Sequence, residues 1–401
     1  MKRLLSLMLV LSMTVALLAG CSGSTTNSNT QAGTESAANE NEAADTAAEG
    51  GVFNIGGIGP VTGGAAVYGI AVKNGAQLAV DEINAAGGIN GSQIAFTFED
   101  DEHDAEKSVN AYNTLKDKGI HLLMGTVTSG PCLAVAEETM NDNMYMLTPS
   151  GTAVECVQYD NAFRVCFSDP NQGGKSAEYI GTNNIASKVA VIYDSSDVYS
   201  SGIYTEFVKK APEYGIEIVA AEAFTADNKT DFTIQLQKAK DGGAELVFLP
   251  IYYTEAALIL SQANSMGFAP MFFGCDGLDG ILSVEDFDAS LAEGVMLLTP
   301  LVIDENDQTR AFAAAYEEAY GETPIQFAAN AYDAMYIIKA ALEQSGATPD
   351  MSASELCDLL KAAMLEITVD GITGQMTWTE DGEVNKEPKA VKIVDGAYSA
   401  M

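Results

Sequence analysis

The feature that most constrains the fold is a regular alternation of continuous apolar runs with longer amphipathic runs along most of the chain beyond residue 50. The apolar runs at residues 52–58 and 120–124 have the character of buried strands. The run at residues 65–86 instead places Val72 and Ile83 near helical spacing. Apolar strands separated by helices of roughly 10–20 residues are typical of parallel sheets covered on both faces. The sequence therefore predicts an α/β protein.

The alternation falls into two consecutive series, one ending near residue 167 and one from about residue 171 to 298. Two such series predict two doubly wound parallel-sheet lobes. Helices then follow one another from residue 307 to 364, and residues 374–394 suggest a hairpin around the turn at residues 380–383. We expect the helical block to return to the first sheet and the hairpin to return to the second, which gives three crossings and a hinge. The predicted bounds are 51–168 plus 300–373 for lobe 1 and 169–299 plus 374–401 for lobe 2.

The N-terminus has the pattern of a bacterial lipoprotein signal. Lys2 and Arg3 precede an apolar run at residues 4–18, and Leu-Ala-Gly-Cys follows, ending at Cys21. A basic start, a short apolar core and small residues before the cut describe a secretory signal, and the apolar run is shorter than the roughly 20 residues of a membrane span. We predict a signal peptide at 1–20, lipid attachment at Cys21, and a location at the outer face of the bacterial cell membrane.

Residues 21–50 are rich in Ser, Thr, Asn, Ala and Glu and contain few large apolar residues. Such a segment cannot bury enough surface to offset the entropy of ordering it, so it is predicted to be a disordered tether. The chain carries a formal net charge of −36. That charge repels nucleic acid and anionic lipid surfaces, so no nucleic-acid partner is expected.

The motifs of catalysis and metal binding are missing from the sequence. Residues 171–176 imitate the end of a phosphate-binding loop, but Asp169 stands where that motif requires glycine, and a helix start is the better interpretation. The chain has 2 histidines and lacks HExxH, Cys-x-x-Cys and Gly-x-Ser-x-Gly patterns. We therefore expect no metal, no cofactor and no enzymatic activity.

Small polar residues follow two neighbouring predicted strands, at residues 124–132 (Met-Gly-Thr-Val-Thr-Ser-Gly-Pro-Cys) and 147–152 (Leu-Thr-Pro-Ser-Gly-Thr). In open α/β sheets, ligands bind outside the carboxyl ends of the strands. Ser129 is a candidate N-cap with Pro131 in the first turn of the next helix, so the positive helix end would face the same crevice. These loops predict a pocket for a small zwitterion or anion; the alternative is that they are only caps and turns.

The number and positions of the cysteines allow two alternative disulfides. Of the 6 cysteines, Cys21 is assigned to lipid, and the odd number remaining leaves at least one thiol unpaired unless it bonds between chains. Cys132 and Cys156 lie just beyond the two loops, so a Cys132–Cys156 bridge is possible. Cys156–Cys166 is the competing pair.

Residues 65–89, with Ala-Ala-Val-Tyr-Gly and Asn-Gly-Ala-Gln-Leu-Ala-Val-Asp-Glu-Ile-Asn-Ala-Ala-Gly-Gly-Ile, resemble the first helix of type I periplasmic binding proteins. The resemblance is strongest to the leucine/isoleucine/valine-binding branch that serves ABC importers. It extends to the two strand-end loops, Tyr252-Tyr253-Thr-Glu, Phe273-Gly-Cys-Asp276 and Met376-Thr-Trp378. It implies two lobes that close over an amino acid.

The resemblance also implies roles for single residues. Ser129 and Thr152 match the hydroxyls that bind the ligand's carboxylate, and Ser150 matches a position whose carbonyl accepts from the ammonium group. Asp276 matches the acid that pairs with the ammonium group, although the family branch has Glu there, so the shorter side chain would move the ligand or admit a water. Aromatic wall positions are matched by Tyr68, Tyr199 and Tyr252. The small disulfide of the branch has no counterpart, since Thr128 and residues 99–104 contain no cysteine.

We therefore predict a lipid-anchored extracytoplasmic receptor, expected to be a monomer, that captures a branched-chain or similar aliphatic amino acid and delivers it to an ABC permease. The alternatives are a binder of another small molecule on the same fold, such as a carboxylate or an amide, and a sensor that is not coupled to transport. A secreted hydrolase is a further alternative, but the sequence offers it no base and nucleophile pair.

Overall fold

A computed structural model describes residues 50–401. The predicted signal peptide, Cys21 and the predicted tether up to residue 49 lie outside the described residues. The described chain contains a 5-stranded sheet, a 7-stranded sheet and a 2-stranded sheet.

The first sheet is entirely parallel, with the strand order β2-β1-β3-β4-β5. Its strands are β1 (Gly50–Gly59), β2 (Ser92–Asp100), β3 (Leu122–Gly125), β4 (Met146–Thr148) and β5 (Ala162–Arg164). Strand β3 is apolar and buried at every position up to its terminal glycine, as expected for a central parallel strand.

The second sheet is parallel in its centre and antiparallel at one edge. Its parallel strands are β6 (Lys188–Asp194), β7 (Glu217–Phe224), β8 (Leu246–Leu249), β9 (Met271–Gly274) and β10 (Met296–Thr299). The 2-stranded sheet is β11 (Val369–Gly371) with β12 (Gly374–Met376), and the chain ends with β13 (Lys389–Val394) and β14 (Ala397–Ala400). Strand β13 pairs antiparallel with both β10 and β14, which completes the order β14-β13-β10-β9-β8-β6-β7.

Helices cover the faces of both sheets. They are α1 (Ala66–Ala85), α2 (Ala105–Asp117), α3 (Ser129–Asp142), α4 (Asp169–Thr182), α5 (Val198–Lys210), α6 (Thr233–Asp241), α7 (Tyr253–Ser265), α8 (Asp307–Tyr320), α9 (Gln326–Ser345) and α10 (Ala353–Met364). Helices α8 and α10 begin at capping boxes, formed by Asn306 with Thr309 and by Ser352 with Glu355.

The chain passes between the two sheets three times, after β5, after β10 and between β12 and β13. The second passage leads into the helical block α8–α10, which packs beside α1 of the first sheet. There the Tyr320 hydroxyl donates a hydrogen bond to the Asn74 carbonyl (2.9 Å). The predicted class of two doubly wound lobes with three connections is confirmed.

The predicted hairpin over residues 374–394 is wrong in its pairing. Strand β12 pairs with β11, and across the predicted turn the described residues form one isolated bridge, between Trp378 and Val384. The Trp378 indole N–H donates instead to the Arg164 carbonyl at the end of the first sheet (2.8 Å). A turn motif reports only local chain reversal, whereas this partner lies 214 residues away. The contact favours a third crossing after β12, and the lobe boundaries stay a prediction.

Close packing of α1 on α9 brings two aromatic residues of the first lobe together. A Cβ at Gly75 would lie 2.1 Å from the Ala328 carbonyl oxygen, so the helices meet at a separation that only glycine permits here. About two turns before Gly75, Tyr68 stacks on Phe327, with ring centroids 4.2 Å apart. The helix contact therefore positions one wall of the cleft between the lobes.

Candidate functional site

The two strand-end loops predicted from the sequence lie side by side, because β3 and β4 are neighbours in the first sheet. Side-chain hydroxyls fasten one loop to the other. Thr148 Oγ1 donates to the Thr126 carbonyl (2.7 Å), and Ser150 Oγ donates to the Val127 carbonyl (2.7 Å). The loops therefore form one rigid surface at the carboxyl ends of the strands.

Ser129 lies at the centre of this surface, although not as the predicted N-cap. It is the first residue of α3, and Thr128 occupies the cap position without a side-chain cap bond. Ser129 Oγ instead accepts from the backbone N–H groups of Thr152 and Ala153, both at 3.2 Å. Its hydroxyl proton can therefore be donated to an acceptor in the cleft. The Thr152 N–H is thus already bonded to Ser129 in this structure, which leaves the Thr152 hydroxyl as the group that the resemblance assigns to the ligand.

A buried arginine holds the second loop from behind. The Arg164 guanidinium donates to the carbonyls of four consecutive residues, at 3.1 Å, 2.7 Å, 2.8 Å and 3.2 Å for residues 151 to 154 in order. Arg164 is fully buried, and its Nε lies 3.4 Å from a Glu383 carboxylate oxygen. The loop that carries Thr152 is thus fixed by a planar fork of donors that a lysine could not reproduce.

The possible Cys132–Cys156 disulfide is not formed. Every cysteine among the described residues is a free, buried thiol. Cys132 and Cys156 are neighbours beneath the second loop, since a Cβ at Gly151 would lie 2.8 Å from one sulfur and 3.1 Å from the other. The adjacent Cys156 thiol lowers the pKa of Cys132. The two residues therefore pack as neighbouring free thiols, the Cys156 thiol donating to the Ser129 carbonyl (3.9 Å), and the competing Cys156–Cys166 bridge is also absent from the described residues.

Across the cleft, Asp276 begins a single 3-10 turn, Asp276–Leu278, just after β9. Its carboxylate accepts from the Tyr199 hydroxyl (2.8 Å), and that hydroxyl also accepts from the Gly277 N–H (2.9 Å). Burial raises the pKa of Asp276 to about 6, against the lowering effect of the Tyr199 hydrogen bond. Asp276 is only 4% exposed, and the described residues that line the small hollow it faces include no lysine or arginine. A buried acid in this state is stabilised by any positive group that enters.

Aromatic rings form the remaining walls. Tyr252 stacks on Tyr199 with centroids 5.0 Å apart and meets Tyr68 edge to face at 5.6 Å. The Tyr68 hydroxyl accepts from the Tyr253 N–H (3.2 Å) and donates to the Gly277 carbonyl, so it joins the first lobe to the second. The structure is therefore that of a closed cleft.

These residues enclose one small hollow of about 10 Å³. That volume holds about one water molecule, so a larger ligand requires the two lobes to separate first. All seven residues predicted from the sequence line it, together with Val127, Thr128, Gly277 and Phe327: they are Tyr68, Ser129, Ser150, Thr152, Tyr199, Tyr252 and Asp276. The structure thus brings the predicted set together, while the role of each residue in binding stays a prediction.

A histidine seals the hollow from the wider mouth of the cleft. His103 Nδ1 lies 2.8 Å from Thr128 Oγ1, and its ring meets Tyr252 edge to face at 5.4 Å. Burial and the nearby Lys229 lower the pKa of His103, which favours the neutral ring. Outside this seal is a cavity of about 440 Å³. Small polar molecules can therefore reach His103 and Tyr252 from this mouth.

Three functional residues were missed in the sequence. Phe327 lies in a helical apolar pattern, and helical periodicity does not distinguish a core ring from a cleft ring. Arg164 and His103 act through partners distant in sequence, and no local pattern marks such pairs.

Residues 50–401 contain no group of three or more His, Cys, Asp or Glu side chains arranged to hold a metal ion. In the same part of the chain, no helix combines the length and the apolar character that crossing a bilayer requires.

Comparison with known proteins identifies relatives along nearly the whole described chain. Residues 52–397 match the family described as "Periplasmic binding protein". The chain is 30% identical over 335 residues to "Leu/Ile/Val-binding protein homolog 3" of Brucella melitensis, which covers 83% of this chain and 89% of the relative. It is 28% identical over 328 residues to the "Leucine-, isoleucine-, valine-, threonine-, and alanine-binding protein" of Pseudomonas aeruginosa, covering 81% and 85% of the two chains.

A solved structure shares the fold. The branched-chain amino acid transporter substrate-binding protein LivJ from Streptococcus pneumoniae, in complex with isoleucine, superposes with a TM-score of 0.79 at 30% identity. The match covers 87% of this chain and 98% of that protein.

Proposed function

This chain belongs to the periplasmic binding protein family, and from that premise we propose that it captures a free amino acid outside the cytoplasm and delivers it to an ABC permease. Members of the family are substrate-binding proteins of transporters, so capture and release rather than catalysis is the activity assigned.

The observation that carries this proposal is the complementary charge of the two sides of the hollow. On one side lie the hydroxyls of Ser129 and Thr152 at the N-terminus of α3, where a carboxylate is stabilised. On the other side lies Asp276, a buried carboxylate without a cation. An α-amino acid supplies a carboxylate and an ammonium group to these two sides at once, so its binding favours the closed lobes.

The walls favour an aliphatic side chain. Tyr68 and Phe327 of the first lobe, Val127 of the strand-end loop and Tyr252 of the second lobe present apolar surface to the hollow. Aromatic and aliphatic walls stabilise an apolar side chain by burial and offer no partner to a charged one. The Brucella relative is named for leucine, isoleucine and valine, and the Streptococcus structure holds isoleucine. We therefore propose a branched-chain or similar aliphatic amino acid as the ligand.

A thermal-shift screen tests this proposal. The protein is unfolded and refolded to remove any copurified ligand and is then heated with each of the twenty amino acids. At about 100 times its Kd, the true ligand is expected to raise the free energy of unfolding by about 2.7 kcal/mol. The matched controls are 4-methylpentanoate, which lacks the amine of leucine, and 3-methylbutylamine, which lacks its carboxylate. Stabilisation by carboxylates without an amine, and by no amino acid, would favour the alternative of a small-carboxylate or amide binder.

The binding affinity should fall in acid. Asp276 must be ionised to accept an ammonium group, and its pKa in the unliganded protein is about 6 because of burial. Between pH 7 and pH 5 the ionised fraction falls roughly tenfold, so we expect the Kd measured by calorimetry to rise about tenfold. Burial also raises the pKa of nearby Asp197 to about 6. The Asp197→Asn variant, which can still cap α5, should therefore keep the same pH dependence. Equal Kd values at the two pH values would contradict the assignment of Asp276.

We also propose that the protein is held at the outer face of the membrane by lipid on Cys21 and acts there as a monomer. The lipoprotein signal ahead of Cys21 supports this anchoring. Incorporation of labelled fatty acid that is lost in Cys21→Ala tests the anchor, and light scattering of the purified protein tests the monomer. Uptake of the ligand into vesicles that contain the permease separates a transport receptor from a sensor.

A further inference from the structure

A second cavity, of about 380 Å³, lies at the opposite edge of the second sheet from β7. Its walls come from β10, from the second passage between the sheets and from the chain just before α9. Apolar side chains make up much of the lining: Leu297, Leu301, Val302, Ile303, Ile325 and Val391. None of these residues lines the hollow beside Asp276, and the cavity has the size of a site for a small organic molecule.

The charged side chains that line this cavity are all acidic. Asp279 lines the wall, with Asp304 and Glu322, and the described residues that line it include no lysine or arginine. Asp279 is only 4% exposed, and its Oδ2 accepts from the Gln326 N–H (2.8 Å). Its Oδ1 has no well-formed hydrogen bond, although the Tyr398 hydroxyl lies near the carboxyl group. A buried carboxylate oxygen without a partner is costly and is a marker of a group that a ligand could satisfy.

The same short turn connects this cavity to the first hollow. Asp276 begins the turn and faces the hollow, while Asp279 directly follows it and faces the second cavity. Gln326 joins the two, because its side-chain amide donates to the Asp276 carbonyl (3.1 Å) and its backbone N–H donates to Asp279. A ligand held by Asp279 would therefore contact a turn that also supports the first site.

From these contacts we propose that the second cavity binds a small amphiphilic cation, a primary ammonium group on a short aliphatic body. The ammonium group donates to the unpartnered oxygen of Asp279, and the aliphatic body packs against Leu297, Leu301 and Val391. An anion is repelled by Asp279, Asp304 and Glu322. A neutral molecule would leave the carboxylate charge uncompensated.

Calorimetric titration of the full chain with 3-methylbutylammonium chloride tests this site. The Asp276→Asn variant is used as background, because it removes the ammonium partner of the first hollow. In that background we expect one equivalent of the amine to bind, and we expect Asp279→Asn to weaken it at least tenfold. The isosteric alcohol, 3-methylbutanol, should bind at least tenfold more weakly than the amine.

Asn at position 279 keeps an acceptor oxygen for the Gln326 N–H. A second variant shows whether weaker binding comes from loss of the site or from misfolding. Thr323 is exposed and lies at the cavity wall, so Thr323→Trp should block entry without disturbing the core. It too should weaken amine binding at least tenfold while its circular dichroism and unfolding midpoint match the background protein. The proposal is overturned if the background protein binds no amine, if both variants bind it as well as their background, or if the alcohol binds equally well. These outcomes do not depend on which amino acid the first hollow takes.

Discussion

Replacement of Asp276 by asparagine is expected to abolish amino-acid binding and to leave the protein folded. Asparagine has the same shape and keeps an oxygen that accepts from the Tyr199 hydroxyl, which lies 2.8 Å from the carboxylate. It removes the charge that an ammonium group requires. Leaving one member of a buried ion pair without its partner costs about 3–5 kcal/mol, so the affinity should fall by roughly 100-fold or more.

Calorimetry with the amino acid found by the thermal-shift screen measures this loss, and thermal unfolding without ligand measures the fold. The unliganded variant should be at least as stable as the parent at pH 7, because burial opposes ionisation of Asp276. For a matched control, Asp197→Asn removes a half-buried acid at the mouth of the cleft and should keep near-parental affinity. Asp276→Glu, which restores the longer acid of the related branch, should still bind. Unchanged affinity in the asparagine variant would show that another group pairs with the ammonium.

Replacement of Arg164 by methionine is expected to destabilise the protein by about 3–5 kcal/mol and to weaken ligand binding with it. Methionine fills a similar volume but donates no hydrogen bonds. The carbonyls of residues 151–154 would lose the guanidinium that now donates to all four. The loop that carries Thr152 would then lose the support that fixes its hydroxyl in the cleft.

Urea unfolding gives the free energy, and calorimetry gives the affinity. Glu383→Gln removes only the partly exposed acid 3.4 Å from the arginine, so it should change stability by less than about 1 kcal/mol. Arg164→Lys keeps the charge but lacks the planar fork of donors. Its loss of stability should lie between those of Arg164→Met and Glu383→Gln. A methionine variant within about 1 kcal/mol of the parent would mean that the four carbonyls find other donors.

Periodicity in the sequence predicts the elements well where a residue's environment is set by its neighbours in the chain. The helical block was predicted to begin at residue 307, where α8 begins, because Phe312, Tyr316 and Tyr320 repeat at helical spacing. The prediction of the last hairpin was wrong because its residues pair with partners far away in the chain. Strand β13 pairs with β10, and the Trp378 indole binds the Arg164 carbonyl.

The residues of the candidate site also separate into those that the sequence predicts and those that depend on contacts distant in the chain. Strand-end serines and threonines such as Ser129 are visible in the sequence, since parallel topology places every carboxyl end at one edge. The shift of Ser129 from cap to first helical residue depends on the Thr152 and Ala153 N–H groups, which come from another loop. Asp276 was found through its resemblance to a family position, because a single acid after a strand carries no signal of its own. Phe327 needed the packing of α9 against α1, which no local pattern records.

The bond between Trp378 and the Arg164 carbonyl has an optical consequence. The chain contains 1 tryptophan, it is 6% exposed, and its indole is attached to the residue that supports the ligand loop. All tryptophan fluorescence of the protein therefore comes from Trp378. Its fluorescence therefore gives a label-free signal, in which a change of tryptophan emission on adding a solute reports a change around the Arg164 carbonyl that the indole binds.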